Sequence, residues 1–203
     1  DAILSTLQTG DVALVSDAGT PGLSDPGYEL IRAAIDHAIP VIPLPGPSAL
    51  LPALVSSGLP TDTFLYLGFL PRKTSLRRDA IQSIAAFPYT IVLYEAPHRL
   101  LEMLADLLDV LGARPITIAR ELTKLHEEIW RGTLDAALDY FGRSEPRGEF
   151  VLVMAGASPQ PRQVWAEEQV RQALAARLAA GEPRSAAAKA IAEEANWPRR
   201  AVY

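Results

Sequence analysis

The sequence contains no cysteine, which excludes a disulfide framework and a thiolate metal site. Histidine is scarce as well, and His37, His98 and His126 stand too far apart to show a metal-ligand spacing, so we expect no metal centre. The longest apolar runs, such as 91–94 and 150–155, have the length of strands and fall far short of the roughly 20 residues that span a bilayer. The sequence also begins without a charged-then-apolar leader. We therefore expect a cytoplasmic protein with no membrane segment.

Basic residues are fewer than acidic ones. The chain has 19 Lys and Arg against 24 Asp and Glu, a net charge of −5, which argues against a protein that coats nucleic acid with its whole surface. Basic residues are concentrated in a cluster of four, Arg72, Lys73, Arg77 and Arg78, and in the tail from Arg162 onward. Any contact with RNA is therefore predicted to be local, at the cluster first, although a solvated helix face is the alternative for such a run.

Apolar runs of strand length alternate with amphipathic patterns, which predicts an α/β fold. The predicted strands are 12–16, 41–44, 63–69, 90–95, 116–120 and 149–155. Helices are predicted after Asp25-Pro26, over 75–87, over 98–111, over 164–180 and over 185–195. The helix over 98–111 has a leucine-rich face and is followed by Gly112, a good C-terminal glycine.

Two turn-rich breaks divide the chain into three predicted domains. The first break, 58–62, separates a partial N-terminal α/β domain over 1–60 from a second α/β domain over 61–158. The second break, 158–161, precedes a small helical extension over 159–203. The first ten residues resemble the end of an amphipathic helix that stops at Gly10, with no strand before it. We therefore expect the N-terminal domain to be truncated.

The segment most typical of a ligand site is 15–27, between a predicted strand and a predicted helix. Its three glycines and its prolines predict an irregular loop at the carboxyl end of a strand, where open α/β sheets bind ligands. Asp17 and Asp25 are suited to an ammonium, a sulfonium-bearing cofactor or ribose hydroxyls. For Asp25 alone we favour a helix N-cap, with Pro26 at the first helical position. The loop as a whole is longer than the 2 to 6 residues typical of a βα connection, which favours a functional role.

Four further segments at strand ends are weaker candidates. They are 45–48, Tyr94 to Arg99, Arg120 to Lys124, and the strand that follows Gly148. Each has an ordinary structural alternative. Ser48 is a normal N-cap, His98 can simply begin a helix, Arg99 can pair with Glu95, and the charged run after Arg120 is typical of a solvated loop.

Six segments, in this order along the chain, together resemble one known family: the five candidates above and the segment 68–73. They are Val-Ser-Asp-Ala-Gly-Thr-Pro-Gly-Leu-Ser-Asp-Pro-Gly, Pro-Gly-Pro-Ser-Ala, Gly-Phe-Leu-Pro-Arg-Lys, Tyr-Glu-Ala-Pro-His-Arg, Ala-Arg-Glu-Leu-Thr-Lys and Gly-Glu-Phe-Val-Leu-Val. The resemblance is to the family of ribosomal RNA small subunit methyltransferase I, in the tetrapyrrole methylase superfamily. It implies two α/β domains with S-adenosylmethionine in the cleft between them, and methylation of the ribose 2'-hydroxyl of one cytidine in 16S rRNA. It also implies a Gly-Thr-Pro-Ile-Gly-Asn loop near the start, which this sequence lacks.

The resemblance also implies which residues face the cofactor. By resemblance the cofactor-binding positions are Asp17, Ala18, Gly19, Leu23, Ser24, Pro47, Ser48, Tyr94, Arg120, Leu122, Met154, Ala155 and Gly156. The second-domain positions among them are implied to act largely through backbone atoms. The tail beyond Pro161 resembles the family's helix-turn-helix-like extension and ends as a third helix would start.

Methyl transfer to a hydroxyl is an in-line displacement, so the protein must align the two groups and remove a proton. The candidate bases are Glu95 and Glu121, with Asp25 behind them. The expected partners are 16S rRNA in the small subunit and a second copy of the chain as a homodimer. Two alternatives stay open, a porphyrin- or corrin-precursor C-methyltransferase and a non-catalytic nucleic-acid-binding regulator.

Overall fold

A computed structural model of the protein describes residues 2–158 and 164–202. The chain divides into two compact units, residues 1–157 and residues 158–203. The first unit contains a five-stranded sheet with helices on both faces, which confirms the predicted α/β class. The domain boundary expected near residue 60 stays a prediction.

The sheet in the first unit is mixed. Its strands are β1 Phe64–Phe69, β2 Thr90–Glu95, β3 Pro115–Arg120, β4 Glu128–Thr133 and β5 Phe150–Met154, in the spatial order β1-β2-β5-β3-β4. Strands β1 and β2 are parallel, while β5 runs antiparallel to both β2 and β3 and β4 runs antiparallel to β3. The carboxyl ends of β1, β2 and β3 therefore lie at one edge of the sheet, and the carboxyl ends of β4 and β5 lie at the opposite edge.

Two apolar layers sandwich this sheet. The helices of the first unit are α1 Ala2–Thr6, α2 Tyr28–Asp36, α3 Leu50–Ser56, α4 Thr74–Ser83, α5 Leu100–Leu111 and α6 Leu134–Phe141. Helices α4, α5 and α6 cover one face, and α3 covers the other. Because side chains alternate along a strand, β2 sends Ile91 and Leu93 to the α5 face and Val92 and Tyr94 to the α3 face.

Two of the predicted strands are wrong. Segments 12–16 and 41–44 have no regular secondary structure and pair with no strand among the described residues, and their apolar side chains are exposed, with Val15, Ile42 and Leu44 at 80%, 79% and 81%. A strand exists only when its backbone groups bond to a neighbour. Strand β4 was not predicted, because its charged and half-buried residues have the composition of a solvated loop.

The N-cap predicted at Asp25 is also wrong. Helix α2 begins at Tyr28, and its N-cap is Gly27, which makes no side-chain capping bond. Gly27 has a φ of 136°, a conformation that favours glycine, and an added Cβ would lie 2.7 Å from Leu14 Cδ2. The chain therefore enters the helix two residues later than predicted, and the Asp25 carboxylate is left within the loop.

The second unit is helical, as predicted. It contains α7 Glu167–Ala179, α8 Arg184–Ala195 and the short α9 Arg199–Val202, packed around a small apolar core that includes Val170, Ile191 and Val202. The indole of Trp197 donates to the Trp165 carbonyl at 2.9 Å. A helix-turn-helix role for this unit stays a prediction. No helix in the described parts of the chain is long and apolar enough to cross a membrane.

Candidate functional site

The loop 15–27 is attached to the sheet where β1 nears its carboxyl end. The Ser24 hydroxyl lies 2.5 Å from the Tyr66 hydroxyl, and Ser24 has a φ of 58°, unusual for a residue other than glycine. The β1–β2 register shifts between Tyr66 and Gly68, and Gly68 has a φ of 61°. A Cβ on Gly68 would lie 2.8 Å from the Ser24 hydroxyl. This β-bulge therefore lets the loop approach the strand closely.

The second predicted loop joins the first. The Thr20 hydroxyl donates to the Pro47 carbonyl at 3.1 Å, which links loop 15–27 to loop 45–48. Beside this link the backbone of Gly19 is open, because an added Cβ would meet only an Asp25 carboxylate oxygen, at 3.8 Å. Asp17, Ala18 and Leu23 are exposed on the same loop. The structure thus brings the predicted first-domain residues together at one edge of the sheet.

Tyr94, in strand β2, extends this site from the loops to the sheet. Its ring packs edge to face against Tyr66, with the centroids 5.3 Å apart. Burial, together with the neighbouring Tyr66 and the negative charge of Asp25, raises the pKa of Tyr94 to about 12. The phenol therefore stays protonated at neutral pH. Leu122 packs on the same α3 face of the sheet.

Glu95, a predicted base, faces away from this cluster. It follows Tyr94 in β2, so its side chain lies on the opposite face of the sheet, where the residue is 1% exposed. One carboxylate oxygen accepts from the Ala96 N–H at 2.8 Å and lies 3.5 Å from the Arg99 guanidinium, while the other has no partner. Burial raises the pKa of Glu95, although Ala96 and Arg99 act in the other direction.

This burial leads to a stability prediction. A raised pKa means that the folded protein favours the neutral carboxyl, so ionisation costs stability as pH rises from the unfolded-state pKa through the folded-state pKa. Glu95→Gln removes that cost, and we expect it to raise the melting temperature at pH 7. The gain should shrink towards pH 4 in a calorimetric pH series. The exposed Glu145→Gln should change neither value, and a lower melting temperature for Glu95→Gln at pH 7 would contradict the prediction.

Glu121 and Arg120 are held by ion pairs. Lys124 lies 3.0 Å from the Glu121 carboxylate, and its hydrogen bond lowers the pKa of Glu121. Arg120 pairs with Glu128 at 2.6 Å and donates to the Arg147 carbonyl at 3.2 Å. These side chains hold together the loops that follow β3 and precede β5, and the lowered pKa makes Glu121 a weaker base.

The structure does not bring Met154, Ala155 and Gly156 to this edge. Because β5 is antiparallel to β2, Met154 lies opposite Ile91 and Phe150 lies opposite Glu95. Met154 is therefore about 13 Å along the sheet from the end of β2. Gly156 packs against Pro88 and Tyr89 instead, where a Cβ would lie 2.3 Å from backbone. The cofactor contact implied for these three residues has no support in this geometry.

The basic cluster is divided by its ion pairs. Arg77 is 2% exposed and bonds through Nε and a terminal nitrogen to Asp106, both at 2.6 Å, so it is unavailable to RNA and its predicted role is wrong. Arg78 pairs with Asp106 and Asp109. Arg72 and Lys73 are exposed and form no ion pair among the described residues.

Sequence reasoning missed Tyr66, Gly68 and Phe69 as parts of this edge. The available signal was the glycine inside an otherwise apolar strand, which is typical of a bulge or of a close approach by another part of the backbone. Within residues 2–158 and 164–202, no group of His, Asp and Glu side chains is placed to hold a metal ion.

Comparison with known proteins places this geometry in a family. Residues 1–138 match the tetrapyrrole (corrin/porphyrin) methylases. A Synechocystis protein named ribosomal RNA small subunit methyltransferase I is 53% identical over 99% of this chain and 73% of its own length.

Two solved structures share the fold at low identity. The methyltransferase CobJ has a TM-score of 0.59 at 20% identity, over 78% of this chain and 70% of its own. Uroporphyrin-III C-methyl transferase from Thermus thermophilus, complexed with S-adenyl homocysteine, has a TM-score of 0.51 at 19% identity, over 76% of this chain and 70% of its own. The chain therefore belongs to the tetrapyrrole methylase family, alongside the proteins named ribosomal RNA small subunit methyltransferase I.

Proposed function

We propose that this chain transfers a methyl group from S-adenosylmethionine to the ribose 2'-hydroxyl of a cytidine in 16S rRNA of the small ribosomal subunit. The observation that carries the proposal is the 53% identity, across nearly the whole chain, to a relative named for methylation of small-subunit rRNA. The S-adenyl homocysteine bound to the Thermus thermophilus enzyme of the same fold supports the choice of cofactor.

The residues at the β1 and β2 ends fit such a cofactor. Gly19 offers open backbone, Asp17 and Asp25 offer carboxylates, and Tyr94 offers a protonated phenol. A ribose and an amino acid moiety need acceptors and donors of this kind, and a sulfonium is favoured near negative charge. When bound, the cofactor supplies an electrophilic methyl group. The residues proposed to hold it are Asp17, Ala18, Gly19, Leu23, Ser24, Pro47, Ser48, Tyr94, the backbone of Arg120, and Leu122.

The protein's own contribution is alignment and proton removal. The tie between Ser24 and Tyr66 and the tie between Thr20 and Pro47 fix the loops in position, which serves alignment. Of the three candidate bases, Glu95 lies buried on the other face and Glu121 is held by Lys124. Asp25 lies in the loop itself, and we propose it as the group that accepts the ribose proton.

The test is direct methylation of the proposed substrate. Small ribosomal subunits that lack the modification are incubated with the chain and methyl-labelled S-adenosylmethionine, and the digested rRNA is analysed by mass spectrometry. We expect label on the 2'-oxygen of one cytidine. Label on a uroporphyrinogen substrate, with none on rRNA, would instead favour the porphyrin-precursor alternative. Cofactor binding without transfer to either would favour a regulator.

The homodimer also stays a proposal. Most soluble oligomers are symmetric and two-fold dimers are the commonest, so a C2 pair is the simplest assembly. Sedimentation equilibrium is expected to report twice the 21.9 kDa of the chain. A mass of one chain at micromolar concentration would contradict it.

A further inference from the structure

A cavity opens where β1 and β2 end, beside the candidate cofactor loops. Its volume is about 440 Å³, within the range of small-molecule sites. It is lined by Phe69, Leu70, Pro71 and Arg72 after β1, and by Ala96, His98 and Arg99 after β2. None of these residues has a place in the mechanism proposed above.

The apolar wall of the cavity includes an aromatic ring that is half exposed. Phe69 is 51% exposed, although it packs edge to face on Tyr94 with centroids 5.7 Å apart. Tyr94 in turn contacts Tyr66, whose hydroxyl bonds to Ser24. A continuous row of contacts therefore leads from the cofactor loop, through Tyr66 and Tyr94, to this ring.

The charges around the cavity leave a positive rim. The Arg99 guanidinium donates to the carbonyls of Leu70 and Pro71, at 3.0 and 3.3 Å, and lies 3.5 Å from Glu95. It therefore joins the segment after β1 to the segment after β2 and balances the buried carboxylate. Arg72 forms no ion pair among the described residues, so its charge remains available at the mouth.

We propose that this cavity binds one nucleotide of the RNA substrate, with its base against the ring of Phe69 and a phosphate at Arg72. An exposed aromatic ring beside an unpaired arginine is the pattern by which proteins hold unstacked bases of single-stranded RNA. This proposal rests on the proposed function, because it assigns part of the same substrate.

The test compares Phe69→Leu with Tyr89→Leu. Tyr89 is a matched control, 48% exposed with one edge-to-face contact at 5.5 Å, and it lies outside the cavity. We expect Phe69→Leu to raise the KM for unmethylated small subunits about 5- to 100-fold, while the Kd for S-adenosylmethionine and kcat at saturating RNA stay unchanged. Phe69→Tyr should restore the KM, and Tyr89→Leu should leave all three values at wild type.

Because Phe69 packs on Tyr94, its substitution can also disturb the fold. A second variant, at Arg72, tests RNA binding without changing that packing. Arg72 is exposed, so Arg72→Ala should fold normally, raise the KM for RNA, and lower by about one the slope of log KM against log salt. If the wild-type chain binds and methylates small subunits while both variants match it, the nucleotide site is wrong and the proposed function stands. An equal loss of cofactor affinity in Phe69→Leu would also overturn it, since the ring would then support the cofactor loop. A wild-type chain that neither binds nor methylates small subunits would reject both proposals.

Discussion

Replacing Asp25 by asparagine should lower kcat for ribose methylation about 100- to 10,000-fold, the range typical of a lost general base. Asparagine keeps the size and the hydrogen-bonding reach of the side chain but does not accept a proton. Because the loop is held by Ser24 and Thr20 through their own bonds, it should keep its position in the variant. Single-turnover methylation of small subunits at saturating RNA and cofactor measures the effect.

The control for this variant is Asp11→Asn, an exposed aspartate shortly before the same loop that should leave kcat unchanged. The cofactor Kd, measured by calorimetric titration, separates two explanations for any loss. A large rise in Kd with kcat preserved at saturation would make Asp25 a binding residue only. Wild-type values for both would leave Asp25 without a function and reopen the choice of base.

Asp106→Ala should strongly destabilise the first unit. It removes the nearest partner of Arg77, whose guanidinium is 3% exposed and bonded twice to that carboxylate, and leaves the exposed Glu102 at 3.6 Å. Loss of one member of a buried ion pair costs about 3 to 5 kcal/mol, because the other charge stays buried with too little compensation. The midpoint of thermal unfolding should fall by roughly 6 to 20 °C.

The matched control is Asp109→Ala. Asp109 pairs with Arg78 at the surface, where both side chains are well exposed, so its loss should cost less than about 1 kcal/mol. The double variant Arg77→Met with Asp106→Leu should recover most of the lost stability, because it removes both buried charges. If Asp106→Ala instead leaves the midpoint within 2 °C of wild type, the buried ion pair contributes little to stability and the prediction is wrong.

The strands that could be predicted are those with continuous apolar runs. Strand β2 was predicted with its observed bounds, and β1, β3 and β5 within a residue at each end. Such runs are typical of strands buried on both faces. Strand β4 differs, since Glu128 and Arg131 interrupt its pattern and β3 is its one neighbour among residues 2–158 and 164–202. Composition alone does not distinguish a half-exposed edge strand from a charged loop.

The site could be predicted where neighbours in sequence are also neighbours in space. Residues 17–25 lie on one loop, so their association did not depend on topology. By contrast, the position of Met154 and the ion pair of Arg77 are set by the topology of the chain. The direction of β5 is decided by long-range pairing with β2 and β3, and the partner of Arg77 lies 29 residues away on α5. Neither relation leaves a local signal in the sequence.

The position of β5 also constrains the order in which the chain can fold. It is the last strand along the described residues, yet it lies between β2 and β3, and all five of its residues are buried. Phe150, Leu152 and Met154 complete one apolar layer, and Val151 and Val153 complete the other. During synthesis, the edges of β2 and β3 that later pair with β5 therefore have no hydrogen-bond partner until residue 154 has left the ribosome. Open edges of this kind favour pairing with other chains, so the nascent chain is most exposed to aggregation, and most in need of a chaperone, in this interval.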